Sequence, residues 1–379
     1  MGLSKRKTVV FLTGTRADFG KLKPLIRGTC DLGEFEVHIF VTGMHLLARY
    51  GYTAIEVEKA GFQNIHKFIN QNMNDTMDVV LAKTVAGFSD FVKEIRPDLV
   101  IIHGDRIEAL AGALVGCLNN ILVAHIEGGE ISGTIDESLR HSITKLSHLH
   151  LVCNEKARSR LLQMGEEENR IRVIGSPDLD VMSSGAVPPI SNAKEKYGIN
   201  YERFAIFIYH PVTTEVSSLA EKIAVVVEAL KKTGDNYVVV YPNNDHGSDI
   251  IFKALEQFEE DPRFRLFPSI RFEYFLSLLK HADYVIGNSS AGVREAPFYG
   301  VPTVNLGVRQ NKRSEAMTIV NAEEILEDVM SAITKAKSLE KVETQEFGDG
   351  KSQQKFLEFI KEESVWCMSY QKHFNEQNH

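Results

Sequence analysis

Short apolar runs rich in Val, Ile and Phe recur at residues 8–13, 36–42, 99–103, 122–127 and 149–153, and the stretches between them carry apolar residues at helical spacing, as in 77–94. A continuous apolar run bounded by turn residues predicts a strand buried on both faces. Helices interposed between such strands predict a parallel sheet covered on both sides. A polar, proline-bearing stretch follows GSP at 175–177 and passes through Pro188 and Pro189. The same pattern then restarts with runs at 204–209, 237–241, 264–267, 284–287 and 303–306. The expected architecture is therefore two doubly wound, Rossmann-like α/β domains, residues 1–177 and 178–350, facing a central cleft onto which the loops after the strands open. In the tail, 352–364 is amphipathic, with Phe356, Leu357 and Ile360 on one side. It predicts a helix within 351–379 that packs back on the body.

The chain has 379 residues, 43% of them hydrophobic, enough for two such cores. With 51 acidic against 43 basic residues its formal net charge is −8, which removes any general attraction to nucleic acid or an anionic membrane surface. Cys30, Cys117, Cys153 and Cys367 are far apart and form no CxxC pair, so reduced, mostly buried thiols are expected rather than a disulfide framework or a zinc site. The first apolar run, 8–12, is too short for a signal peptide or a membrane span, and a cytoplasmic location is expected.

Chemistry-bearing residues gather where strands end. The loop GTRADFG at 14–20 is expected to lead into a helix near Lys21, and Arg16 is available there for a bidentate contact to a phosphate. It lacks both the GxGxxG pattern and the GKS or GKT of a P-loop; the plainer reading is an ordinary strand-to-helix turn. NSSAGVRE at 288–295 repeats the arrangement in the second half. Ser289 and Ser290 offer hydroxyls and free amides at an expected helix start, and Glu295 can accept from ribose hydroxyls. Simple N-capping by one serine is the competing reading. With Asn243 after another strand, and His210 in YHPVTT at 209–214, the second half favours a nucleotide diphosphate.

The densest region is HGDRIE at 103–108 followed by HIEGGEISGTIDESLRH at 125–141. Asp105, Glu127 and Asp136 all fall at or just after strand ends. Glu127 is the sharpest of them, because a charge closing an apolar run and followed by two glycines is costly to place without a purpose. Asp136 and Arg140 are four apart, which also fits an ordinary surface pair on a capped helix. The histidines at 103, 125, 141, 148 and 150 show no ligand spacing such as HExxH, so no metal is expected, and His103 and His125 read as hydrogen-bonded residues.

These motifs, with VTGMH at 41–45, GSPD at 175–178, YPNN at 241–244 and Arg309-Gln310, resemble the hydrolysing UDP-N-acetylglucosamine 2-epimerases of sialic acid biosynthesis over nearly the whole chain. The resemblance implies a fold of the glycosyltransferase B type and a cytoplasmic homodimer or homotetramer that binds a UDP-sugar, with no cofactor and no metal. It places the catalytic carboxylates on Asp105, Glu127 and Asp136. Substrate contacts fall on Arg16, Lys21, Arg140, His210, Asn243, Ser289, Ser290, Glu295 and Arg309. Non-hydrolysing relatives carry Ala, then Leu-Arg, after the glutamate matching Glu127; here Gly128-Gly129-Glu130 stands instead, which favours the hydrolysing branch.

The implied chemistry suits a crowd of carboxylates. No carbonyl acidifies the C2 hydrogen of the sugar, so loss of UDP from C1 has to precede or accompany its removal, giving a glycal that water then hydrates through an oxocarbenium-like state. A relative acting on a UDP-linked 2,4-diacetamido-6-deoxy sugar, or a glycosyltransferase on the same fold, uses the same nucleotide contacts. A non-catalytic sugar-binding module fits two α/β domains but not the concentration of carboxylates.

Overall fold

A computed structural model describes residues 6–72, 75–132, 134–185, 187–373 and 375. They form two units, described separately below. The first contains one parallel sheet of seven strands, β1 (Lys7–Thr13), β2 (Phe35–Val41), β3 (Ile65–Lys67), β4 (Leu99–His103), β5 (Leu122–Ile126), β6 (Leu149–Val152) and β7 (Ile171–Val173), in the order β3-β2-β1-β4-β5-β6-β7. The second has six parallel strands, β8 (Ala205–Ile208), β9 (Tyr237–Val240), β10 (Phe264–Phe267), β11 (Val285–Gly287), β12 (Thr303–Leu306) and β13 (Ile319–Ala322), ordered β10-β9-β8-β11-β12-β13. In each sheet the order reverses beside its first strand. The loops after β1 and β4, and after β8 and β11, therefore flank a topological switch point, where such sheets hold ligands.

Alternation within β1 explains the doubly covered first sheet. Val9 and Phe11 face a core completed by Phe356, Phe359 and Ile360 of the C-terminal helix, whereas Val10 and Leu12 face Phe88 and Val92 of the helix Met77–Ile95 and Ala109 and Ala113 of Ile107–Leu118. β3, β7 and β13 lack apolar runs because they are short, partly exposed edge strands, with one or no residue fully buried in each.

Three local expectations need correction. The first helix starts at Arg16, not near Lys21, because the Thr15 side chain accepts the Asp18 amide and caps it there. The first unit extends to Ser183, because the helix Pro177–Ser183 belongs with it, and it resumes at Phe347 with the C-terminal helices. Of the four free cysteines only Cys153 is buried, and Cys367 is exposed. The tail helix runs Ser352–Lys361, and Gln353 Nε2 donates to the Pro24 carbonyl at 2.6 Å, fixing the tail to the first helix.

Candidate functional site

In the first unit, the switch-point loops assemble a buried polar cluster around Glu127. Thr13 and Gly14 leave β1, and their hydroxyl and amide each donate to Asp18 Oδ2 at 2.9 Å. Asp18 in turn lies 3.2 Å from His103 Nδ1, at the end of β4, while His103 Nε2 lies 3.2 Å from Glu127 Oε2. The other Glu127 oxygen accepts the Ser176 hydroxyl at 2.7 Å and lies 3.7 Å from Lys21 Nζ, which also pairs with Asp178 at 3.2 Å. Burial opposes a charge on His103, but Glu127 and Asp18 on either side outweigh it and push its pKa up to about 9. The cluster at neutral pH is thus an imidazolium flanked by carboxylates.

The backbone carries the same emphasis. Glu127 adopts φ +66°, a left-handed conformation that costs a residue with a side chain roughly 1–2 kcal/mol. That strain turns the chain out of β5 and into the two glycines. Gly129 has φ +75°, and a Cβ there would lie 2.4 Å from the Ala157 carbonyl oxygen, so no other residue fits without moving the backbone.

Arg140 is not a surface partner of Asp136. Only 2% exposed, it donates to Asp105 and, at 3.2 Å, to the Glu130 carbonyl, so the helix Ile135–Leu146 is tied to the β4 loop. Asp136, in the first turn of that helix, is half-buried, as is Asp105. Lys21 is buried like Arg140, and the charged end of each is turned to carboxylates, Glu127 and Asp178 for Lys21 and Asp105 for Arg140. Arg16 remains partly accessible and lies 3.6 Å from Glu56.

In the second unit Asn288, fully buried after β11, bridges to the end of β8: its Oδ1 accepts the His210 amide at 2.7 Å and its Nδ2 donates to the His210 carbonyl at 2.9 Å. His210 Nδ1 accepts the Asn243 amide at 3.1 Å, which leaves the proton on Nε2. Arg309 and Gln310 both donate to the Asn288 carbonyl, at 3.2 and 3.1 Å. His210, Asn243, Ser289, Ser290 and Arg309 thus gather about one buried asparagine. In place of a regular helix starting at the serines, Ser290–Gly292 is a single 3-10 turn capped by Ser289 and followed by the four-residue helix Glu295–Phe298, so these serines do not sit at the end of an extended macrodipole. Glu295 is 4% exposed. Gly287 has φ +134° and a Cβ there would sit 1.9 Å from the Ile208 carbonyl oxygen, which is why β11 can approach β8 so closely before the serines.

His103, Asp18, Ser176 and Asp178 are members of the first cluster that the sequence reading did not single out. His103 read as an ordinary hydrogen-bonded histidine because its two carboxylate partners lie 85 and 24 positions away in the chain. His125, by contrast, is held neutral. Burial drives its pKa down to about 3, and its Nε2 donates to the Gly104 carbonyl at 2.7 Å. Burial likewise lowers His45 and His148 to about 4. Each neutral ring stabilises the fold above its unfolded pKa near 6.5, and that stability is lost as pH falls, by roughly 2 kcal/mol per ring near pH 5. Melting curves are expected to shift to lower temperature between about pH 7 and pH 5, with His125→Gln flattening part of that dependence.

Among the described residues no helix is long and apolar enough to cross a membrane, and no group of three His, Cys, Asp or Glu side chains is placed to hold a metal ion. A family model described as UDP-N-acetylglucosamine 2-epimerase matches residues 30–361. The chain is 48% identical over 376 residues to a UDP-N-acetylglucosamine 2-epimerase of Neisseria meningitidis serogroup B, covering 98% of this chain and 100% of that protein. It is 31% identical to the UDP-N,N'-diacetylbacillosamine 2-epimerase (hydrolyzing) of Legionella pneumophila, over 94% of this chain and 96% of that one. Among solved structures, the UDP-GlcNAc 2-epimerase of Methanocaldococcus jannaschii in complex with UDP-GlcNAc and UDP superposes with a TM-score of 0.79 at 21% identity, over 93% of this chain and 99% of that one. The fold is of the glycosyltransferase B type expected from the sequence.

Proposed function

Because the chain belongs to the UDP-N-acetylglucosamine 2-epimerase family, we propose that it is a hydrolysing member, converting UDP-N-acetylglucosamine and water to N-acetylmannosamine and UDP. The observation that carries this reading is the strained Glu127 followed by Gly128-Gly129, a turn with no room for a side chain at its second glycine. The hydrolysing Legionella relative and the sequence departure from the Ala-Leu-Arg pattern support it.

In this reading Glu127, kept among Lys21, Ser176 and a charged His103, takes the C2 proton as the C1–O bond to UDP breaks, forming the C1=C2 bond of a glycal. Asp105, ionised beside Arg140, stabilises the positive charge that builds on the ring as water adds at C1. Asp136 serves as the remaining proton-transfer group, and a proton returns to C2 on the opposite face. Ser289, Ser290 and Arg309 of the second unit hold the diphosphate, with His210, Asn243 and Glu295 completing the nucleotide contacts. The chain requires no nicotinamide or metal for these steps.

The test is to incubate the enzyme with UDP-N-acetylglucosamine in D₂O without an acceptor. Release of UDP and free N-acetylmannosamine carrying one deuterium at C2 is expected. Product with no deuterium at C2 would rule out the elimination route, and a UDP-linked product would place the enzyme in the non-hydrolysing branch. Parallel incubation with a UDP-linked 2,4-diacetamido-6-deoxy sugar, read by mass spectrometry, decides the substituents at C4 and C6.

A further inference from the structure

The C-terminal tail places an ammonium group against the far end of the helix that carries Asp136 and Arg140. Lys372 Nζ donates to the carbonyls of Thr144 at 3.1 Å and Ser147 at 2.7 Å, the last carbonyls of Ile135–Leu146 and the residue just beyond it. The same ammonium lies 2.6 Å from Glu166, whose side chain is fully buried and accepts from His150 Nε2 at 2.9 Å and Lys145 at 2.8 Å. Two further contacts hold the tail in place. The Tyr370 carbonyl accepts from His148 Nε2 at 2.9 Å, and the Ser369 carbonyl from Arg170 at 3.3 Å. Burial would raise the Glu166 pKa, but His150, Lys372 and Lys145 together hold it at about 2.

From that anchor a closed polar circuit leads back to the carboxylates. The Thr144 hydroxyl meets His125 Nδ1 at 3.3 Å; because His125 Nε2 donates to the Gly104 carbonyl, Nδ1 accepts. Gly104 precedes Asp105, and Asp105 is gripped by Arg140 from the same helix that Lys372 closes. We propose that Lys372 is a positioning residue for the reaction, fixing the rotation and depth of helix Ile135–Leu146 so that Asp105, Arg140 and Asp136 keep their geometry.

This rests on the reading of Asp105 and Asp136 as catalytic groups. Lys372→Met is expected to lower kcat by about tenfold while KM and UDP affinity stay within about twofold, because the variant disturbs orientation and not nucleotide contacts. Lys372→Arg, which retains charge and donors, is expected to recover most of the rate. The second arm needs no substrate: in ¹⁵N-histidine-labelled protein the His125 Nε2–H resonance is expected to shift in Lys372→Met and in Thr144→Val, the latter cutting the circuit without touching the tail. A lower melting temperature with an unchanged kcat per folded molecule and an unmoved His125 signal would reduce Lys372 to a structural anchor and overturn the proposal. If Lys372→Met fails to fold, Thr144→Val alone decides, with an unchanged kcat counting against the circuit. Wild-type protein that releases no UDP from the sugar nucleotide would defeat the proposed function instead, and the resonance would still report on the circuit.

Discussion

Glu127→Gln is expected to leave UDP binding nearly unchanged while turnover falls by two or more orders of magnitude, the scale for losing a general acid or base. Glutamine retains the size of the side chain and an oxygen able to accept from Ser176, so the turn at Gly128-Gly129 keeps its anchor. What it removes is the ionisable group beside His103 and Lys21. A Glu127 that merely braced this turn predicts the opposite pattern, a lower melting temperature with a rate per folded molecule within a few-fold of wild type. Steady-state kinetics, a UDP titration and a melting curve on the same preparation separate the two. Near-normal turnover would remove Glu127 from the mechanism.

The central strands were readable because both faces of each are buried, so their residues are mostly apolar; β4 and β12 have the bounds their runs predict, and others differ by a residue or two. The edge strands β3, β7 and β13 were not readable, since partial exposure replaces the run with mixed residues, whereas the edge strand β10 keeps three apolar residues of four and has the bounds its run predicts. Glu127 stood out for the same reason in reverse, as a carboxylate at the end of a buried strand. Its partners were hidden because electrostatic pairing across a switch point leaves no local spacing. Asp18 sits in the first turn of one helix, Asp178 in the first turn of another and Ser176 just before it, each unremarkable in its own segment. Arg140 illustrates a further limit. Its spacing from Asp136 pointed to a pair within one helix, and only the fold shows that the guanidinium turns inward to Asp105.

His103 carries the second large effect. With its pKa pushed up to about 9 by Glu127 and Asp18 against the pull of burial, it is an imidazolium throughout the neutral range and loses its proton only as pH rises through that value. A charged ring between the two carboxylates keeps Glu127 fixed and its charge compensated; a neutral ring donates from one nitrogen only and leaves one carboxylate without its partner. The rate is therefore expected to stay level through neutral pH and fall on a basic limb near pH 9. In His103→Gln, which cannot carry the charge, kcat is expected to drop by about ten- to a hundredfold at pH 7.5 and the basic limb to vanish. Asp18→Asn, removing only the far carboxylate, is expected to move the limb to lower pH, because one of the two charges that raise the ring's proton affinity is gone. A pH–rate profile of the three proteins checks all of this. A limb that keeps its position in His103→Gln would assign the titration to another group and detach the imidazolium from the chemistry at Glu127.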